Sequence, residues 1–155
     1  LWTGNHSHDR VARASAEVGV LFCTLVLLTG PIWAKPVWGA WWTWEARLTF
    51  TLILWFVYVA YLLLRNLTEG QEAGAKFGAV LGVLGVGMVP FIRIAVDRFR
   101  GQHPGNPFKA GLPFEMAFTF YVGLAFFFVL FVYVVATRTE VEYLKDDVRR
   151  LRLDE

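Results

Sequence analysis

Five tryptophans lie close together between the first two apolar stretches of this chain. They fall within twelve residues and are Trp33, Trp38, Trp41, Trp42 and Trp44. Tryptophan at the edge of an apolar stretch is typical of the headgroup level of a membrane, which suits its amphipathic ring. A belt of anchors spreads its rings over several helix ends, whereas five of the seven tryptophans here share one segment. We therefore expect a flat aromatic shelf that suits a large, planar, apolar ligand.

A histidine in a later connection adds a group that can bind a metal. Segment 99–113 contains three glycines and three prolines, which indicates a turn-rich loop, and it includes His103. A neutral imidazole is a good axial ligand for haem iron. Lys35 and Arg47 flank the tryptophans and suit either a ligand carboxylate, such as a haem propionate, or a lipid headgroup. A haem site is one interpretation, and an interfacial belt with a surface histidine is the other.

The composition indicates an integral membrane protein. Of 155 residues, 56% are hydrophobic and only 18% are charged, whereas about a quarter are charged in a typical soluble domain. The net charge is +2 and there is no basic stripe, so nucleic acid is not an expected partner. The sequence contains no phosphate-binding loop, nucleophile motif, paired-carboxylate site or zinc spacing. We therefore predict no catalytic residues and a protein that is not an enzyme.

Four apolar stretches predict four transmembrane helices, because a spanning helix needs about 20 apolar residues. They are Ala14–Trp33, Leu48–Leu64, Phe77–Val96 and Met116–Thr137. The uncharged runs are too long for strands, and they lack the charged face that a helix of a soluble protein would carry. The predicted fold is an all-α, polytopic transmembrane bundle.

Prolines and glycines predict local features of these spans. Pro31 and Pro36 are expected to prevent a straight helical exit from the first span, so that residues 31–46 form an external Trp-rich loop. Gly78 and Gly82 fit the spacing of small residues at which two membrane helices approach closely. That pattern predicts a packing role for the third span.

The basic residues predict the orientation of the chain. Four spans place both ends on one side, and that side carries nine basic residues against six on the other. The positive-inside rule then predicts cytoplasmic ends and external loops at 31–46 and 99–113. The chain starts at Leu1 within a polar segment and shows no signal-peptide pattern, so we expect further residues upstream.

The tail, residues 138–155, is predicted to continue the last span as a cytoplasmic amphipathic helix. Its apolar residues recur at steps of three and four and are Val141, Leu144, Val148 and Leu151. This apolar face could pack on a partner or lie on the membrane.

The tryptophan run resembles a known motif. The sequence from Trp38 to Thr49, Trp-Gly-Ala-Trp-Trp-Thr-Trp-Glu-Ala-Arg-Leu-Thr, resembles the "WWD" domain of haem-handling membrane proteins. The lead-in from Thr29 to Pro36 and the ending Ala-Arg-Leu-Thr are similar to the haem exporter protein C family of the cytochrome c maturation system. The resemblance covers the chain from about Arg13 to the end of the fourth span.

The resemblance implies a site and a set of partners. The family has six helices around an outward-facing haem site, so residues 1–155 would form a single haem-handling transmembrane domain whose first helices lie upstream. The cofactor would be haem b, and His103 would be an axial ligand of its iron. The other implied haem-contacting residues are Trp38, Gly39, Trp41, Trp42, Trp44 and Glu45, and we add Arg47 as a candidate partner of the propionates.

The implied role is transfer of haem rather than catalysis. The family passes haem to a periplasmic, membrane-anchored haem chaperone, together with ABC transporter subunits and a small single-helix subunit. The implied location is the bacterial cytoplasmic (inner) membrane.

Three features depart from the family pattern. Glu45 stands where the motif usually has aspartate, so the side chain is one methylene longer. Asp97-Arg98-Phe99 stands where a tryptophan pair usually precedes the histidine, so the assignment of His103 rests on its loop. The family's first two helices and their external histidine have no counterpart in these residues.

Two other functions remain open. A haem–cytochrome c synthase would attach haem covalently, but it would need a larger external domain than a loop of about fifteen residues. A non-catalytic membrane-anchor subunit would use the tryptophans only as interfacial anchors.

Overall fold

The chain folds into four α-helices. The computed structural model describes residues 6–68, 72–99, 101–102 and 111–153. The helices are α1 (His6–Trp38), α2 (Ala46–Leu67), α3 (Glu72–Arg98) and α4 (Phe114–Leu153). The described ranges contain no strand. All four helices include stretches that are long and apolar enough to cross a membrane, so the predicted all-α, polytopic fold is confirmed.

The helices group into two compact units. Among the described residues, the first unit comprises 19–68, 72–99 and 101–102, and the second comprises 6–18 with 111–153. Helix α1 therefore contributes residues 19–38 to the first unit and residues 6–18 to the second. The first unit contains the Trp-rich segment, residues 31–46, and the second contains the whole of α4.

Both prolines of the Trp-rich segment lie within α1. The helix continues through Pro31 and Pro36 and ends at Trp38, so residues 31–38 of the predicted external loop are helical. A proline removes one backbone donor and leaves the carbonyl four residues earlier without its usual partner. Membrane helices tolerate this loss, in part because hydroxyl side chains bond backbone carbonyls. Thr29 makes such a bond to the Leu25 carbonyl at 2.7 Å, whereas the carbonyl that Pro31 leaves without its usual partner is that of Leu27.

Helices α2 and α3 pack together through glycines of α3. Gly85 is buried, and a Cβ placed there would lie 2.6 Å from the Tyr58 ring of α2. Gly78 is also buried, and a Cβ there would lie 2.8 Å from the Arg65 side chain. In contrast, no atom of the described chain would lie within 4 Å of a Cβ at Gly82. The predicted close approach therefore occurs at Gly78 and Gly85 and does not involve Gly82.

Aromatic and polar contacts add to the first unit. The Phe50 and Phe91 rings meet edge to face at 4.9 Å and connect α2 with α3. The indole Nε1 of Trp55 donates to the Thr24 hydroxyl at 2.7 Å, which ties α2 to α1. Trp55 thus packs between helices, away from the Trp-rich segment.

An ionic network holds the second unit together. Glu142 is 8% exposed, and its carboxylate pairs with the Arg138 guanidinium at 2.7 Å and the Lys145 ammonium at 3.0 Å. Arg138 also pairs with Glu17 of α1, and Arg13 lies 3.8 Å from Glu142. These contacts fasten α4, at Arg138 and Glu142, to the first part of α1.

We predict that Gly85→Leu destabilises the α2–α3 pair. The new side chain would have to displace the Tyr58 ring, and overpacking of this kind costs about 1–3 kcal/mol. Gly82→Leu is the matched control, since no described atom lies near its Cβ, and it should change the unfolding free energy by less than about 0.5 kcal/mol. Unfolding of both variants in detergent micelles measures the difference. Equal stabilities would contradict the contact.

Candidate functional site

Gly39 ends helix α1 and starts the turn into the remaining tryptophans. Its φ is 75°, in the left-handed region that glycine adopts without strain. Its amide donates to the Lys35 carbonyl at 3.0 Å, and the Lys35 ammonium donates to the Gly39 carbonyl, also at 3.0 Å. The lysine thus caps the carbonyl end of the helix, where a positive charge is stabilising. This turn directs the chain from Trp38 toward Trp41.

The tryptophan side chains pair edge to face. Trp33 and Trp38 have ring centroids 5.1 Å apart at 83°, and Trp42 and Trp44 have centroids 5.7 Å apart at 77°. These four rings therefore do not form one flat shelf, and their edge-to-face contacts are an arrangement that the ring quadrupole favours over a face-to-face sandwich. The segment still presents aromatic area, since Trp44 is 77% exposed and Trp41 is 59% exposed.

Trp42 differs from its neighbours because it is partly buried. Among the described residues, no hydrogen-bond acceptor reaches its Nε1 atom, and none reaches the adjacent Thr43 hydroxyl. A buried indole N–H usually finds a partner. The Trp42 N–H could therefore donate a hydrogen bond to an oxygen of a bound ligand.

Two basic residues flank the segment. The Lys35 ammonium lies 6.0 Å from the centroid of the Trp41 ring, at the outer limit of a cation–π contact. Arg47 is exposed in the first turn of α2, and its carbonyl accepts the Thr51 hydroxyl at 2.8 Å. Lys35 therefore lies beside Trp41, and Arg47 follows Trp44 by three residues along the chain.

Glu45 connects the Trp-rich segment to the loop at 99–113. It is the N-cap residue of α2, with extended backbone and with its carbonyl accepting the Thr49 amide at 3.0 Å. An acidic N-cap usually bonds its own helix through the side chain, but Glu45 makes no such bond. Its Oε2 instead accepts the backbone amide of Gln102 at 2.7 Å.

The hydrogen bond between Gln102 and Glu45 depends on the neighbouring glycine, Gly101. A Cβ at Gly101 would collide with the Glu45 carboxylate, so glycine lets the loop backbone come within hydrogen-bonding distance. Sequence reasoning missed Gly101 and Gln102, because neither residue type signals a bond to a glutamate 57 positions away. His103 lies outside the described residues, so its role as an iron ligand stays a prediction. Its immediate neighbour Gln102 is held at the Trp-rich segment.

We predict that the Glu45 carboxylate protects the Gln102 amide from hydrogen exchange. Glu45→Ala removes the acceptor and should speed exchange about fivefold, which corresponds to about 1 kcal/mol for an exposed hydrogen bond. Glu45→Gln retains a carbonyl acceptor and should give an intermediate rate. Glu115→Ala, which removes another exposed carboxylate, should change nothing at residue 102. Hydrogen-exchange mass spectrometry in nanodiscs measures the rate, and unchanged protection in Glu45→Ala would disprove the bond.

Comparison with known proteins gives one consistent result. The chain matches the model of the family described as Heme exporter protein C over residues 2–154. It is 35% identical over 154 residues to Heme exporter protein C of Haemophilus influenzae, with 97% of this chain and 62% of that protein covered. The namesake from Paracoccus denitrificans is 34% identical over 154 residues, with 96% of this chain and 62% of the relative covered.

A third relative matches over a shorter range. Heme exporter protein C of Escherichia coli K12 is 36% identical over 106 residues, which cover 68% of this chain and 43% of the relative. This chain thus spans about three fifths of the length of the first two relatives. Since the family model covers nearly the whole chain and the four helices are of membrane-spanning length, the resemblance seen at Trp38–Thr49 is confirmed. The chain belongs to the Heme exporter protein C family and is a multi-pass membrane protein.

Proposed function

We propose that this chain binds b-type haem between the Trp-rich segment and the loop at 99–113, and passes it to a periplasmic, membrane-anchored haem chaperone. The observation that carries the proposal is the hydrogen bond from the Gln102 amide to the Glu45 carboxylate. It draws the residue next to His103 to the segment that carries the tryptophans. The name of the relatives, Heme exporter protein C, supports haem as the cargo.

The candidate residues would contact the porphyrin, bind its propionates or its iron, or position the residues that do so. The indoles of Trp38, Trp41, Trp42 and Trp44 would contact the porphyrin, and the Trp42 N–H could donate to a ligand oxygen. Arg47 would pair with a haem propionate, since a guanidinium binds carboxylates well. His103 would be an axial ligand of the iron. Gly39 and Glu45 act indirectly, because one sets the turn and the other holds the loop.

Haem is cargo in this proposal, so the site must release what it binds. Trp44 and Trp41 are more than half exposed, and a ligand against them would remain accessible on its other side. A partner could then replace one iron ligand while the tryptophans still hold the ring. A fully enclosed pocket would instead have to open first. The exposed site therefore suits transfer between proteins better than permanent retention.

The proposed setting is the bacterial inner membrane. With nine basic residues on the side of the chain ends and six opposite, the positive-inside rule favours cytoplasmic ends and an external haem site. The assembly would include ABC transporter subunits and a small single-helix subunit. Transfer of haem is the activity we assign, rather than covalent attachment to an apocytochrome.

We predict that His103→Ala lowers haem affinity at least about tenfold, equivalent to about 1.4 kcal/mol, and removes the low-spin absorbance band. An axial imidazole accounts for both effects. His8→Ala is the control, since His8 lies in the first turns of α1, and it should leave the spectrum unchanged. Absorbance titration of the purified protein with haem measures both variants. A normal low-spin band in His103→Ala would refute the ligand assignment.

We predict that replacing Trp41 and Trp42 together with phenylalanine weakens haem binding by about 1–2 kcal/mol, because aromatic area and one N–H donor are lost. Trp55→Phe is the matched control: it removes an indole that bonds Thr24 within the helices. It should lower stability and leave haem affinity unchanged. The same titration, with membrane insertion checked by protease protection, measures the result. Normal haem binding and transfer by the double variant would favour a membrane-anchor role.

A further inference from the structure

The two cations that flank the Trp-rich segment lie at opposite kinds of helix end. Lys35 is in the last turn of α1, and Arg47 is in the first turn of α2. The carbonyl end of a helix carries partial negative charge, and the amide end carries partial positive charge. Helix α1 therefore stabilises the Lys35 ammonium, whereas the dipole of α2 disfavours the Arg47 guanidinium. This difference indicates that the two cations have different roles.

The Lys35 ammonium is engaged by the turn that follows α1. It donates to the Gly39 carbonyl at 3.0 Å, while the Gly39 amide donates to the Lys35 carbonyl, also at 3.0 Å. The two residues thus bond each other in both directions. A hydrogen bond from a charged donor contributes more to stability than one between neutral groups. The side-chain bond therefore strengthens the turn from which the chain continues to Trp41.

The same ammonium also faces the Trp41 ring, whose centroid lies 6.0 Å away. That separation is at the outer limit of a cation–π contact, so the attraction itself is small. The contact matters because one cation adjoins both the Gly39 carbonyl and the Trp41 ring. If the Lys35 side chain swung toward a haem propionate, the Gly39 carbonyl would lose this donor. Binding a ligand carboxylate would therefore weaken the turn that precedes Trp41.

Arg47 has the opposite balance of interactions. Its own helix gives its charge no stabilisation. A ligand carboxylate would stabilise it, because the planar guanidinium can donate two parallel hydrogen bonds to the carboxylate oxygens. Of the two cations, Arg47 therefore gains more from a bound propionate.

We propose that Lys35 is a positioning residue. It holds the turn after α1, and with it the Trp41 ring, in place for the porphyrin, and it binds neither a haem carboxylate nor a lipid headgroup. Recognition of the propionates then falls to Arg47. This inference rests on the proposed haem site and extends it, because it separates the cation that arranges the aromatic side chains from the cation that binds the charge of the ligand.

Hydrogen exchange in the haem-free chain tests the positioning role without a ligand. Lys35→Met nearly keeps the length of the side chain and removes the donor, so exchange of the Gly39 amide should become about fivefold faster, with no change within α2 and α3. Lys35→Arg keeps a cationic donor and should restore slow exchange. Mass spectrometry of the full chain in nanodiscs measures the rates. Unchanged exchange at Gly39 in Lys35→Met, the result expected for a lysine that binds lipid headgroups, overturns the proposal.

Esterified haem separates positioning from recognition of charge, since haem dimethyl ester has the same porphyrin but no propionate charges. Lys35→Met should weaken binding of haem and of the ester by a similar factor, about fivefold, and Lys35→Arg should restore both. Arg47→Met should weaken binding of haem about tenfold and of the ester less than about twofold. Weaker binding of haem with normal binding of the ester in Lys35→Met overturns the proposal, because it identifies Lys35 as a propionate ligand.

The two measurements distinguish failure of this inference from failure of the proposed function. A wild-type chain that binds neither haem nor the ester refutes the haem site. The exchange rate at Gly39 in the haem-free chain then still decides whether Lys35 holds the turn. A wild-type chain that binds both, with unchanged affinities in Lys35→Met, keeps the haem site and overturns the role of Lys35.

Discussion

The hydrogen bond between the Gln102 amide and the Glu45 carboxylate is the constraint on which the candidate site depends. It joins residues 57 positions apart and is made by the N-cap residue of α2, whose side chain makes no bond to its own helix. The positive end of the α2 dipole favours a carboxylate at this place, so the charge is stabilised even though it serves another segment. Gly101 gives the space that the contact needs. Among the described residues, this bond links the Trp-rich segment directly to the loop at 99–113.

The packing of α2 against α3 brings the two ends of that bond together. The chain enters α2 directly after Glu45 and leaves α3 shortly before Gly101, so an antiparallel pair places those residues at one end. The glycine contact at Tyr58 and the edge-to-face pair of Phe50 with Phe91 hold the helices close. Phe91 lies two turns before the end of α3, which places this aromatic pair on the Glu45 side of the contact. The site therefore depends on helix packing first and on one hydrogen bond second.

The sequence predicts the helices well because length and hydropathy are local properties. All four spans are found, and α4 continues through the tail as the spacing from Val141 to Leu151 predicts. The predictions from sequence fail where the surroundings of a residue, rather than its type, determine its structure. Helix α1 passes through Pro31 and Pro36, since the membrane makes any break in the helix costly. Gly82 fits the packing motif but meets no described side chain. The hydrogen bond from Gln102 to Glu45 is donated by a backbone amide. Every residue except proline has such an amide, so the residue type does not indicate the bond.

The length of the Glu45 side chain explains why its carboxylate bonds outside its own helix. Aspartate at an N-cap is well placed to bond the first amides of its own helix, whereas the extra methylene of glutamate carries the carboxylate past them. In this chain the carboxylate reaches the Gln102 amide instead. Relative to an aspartate N-cap, Glu45 therefore exchanges a bond within α2 for a bond between two loops. On the proposed function, that exchange would give firmer positioning of His103, at the cost of a less well-capped α2.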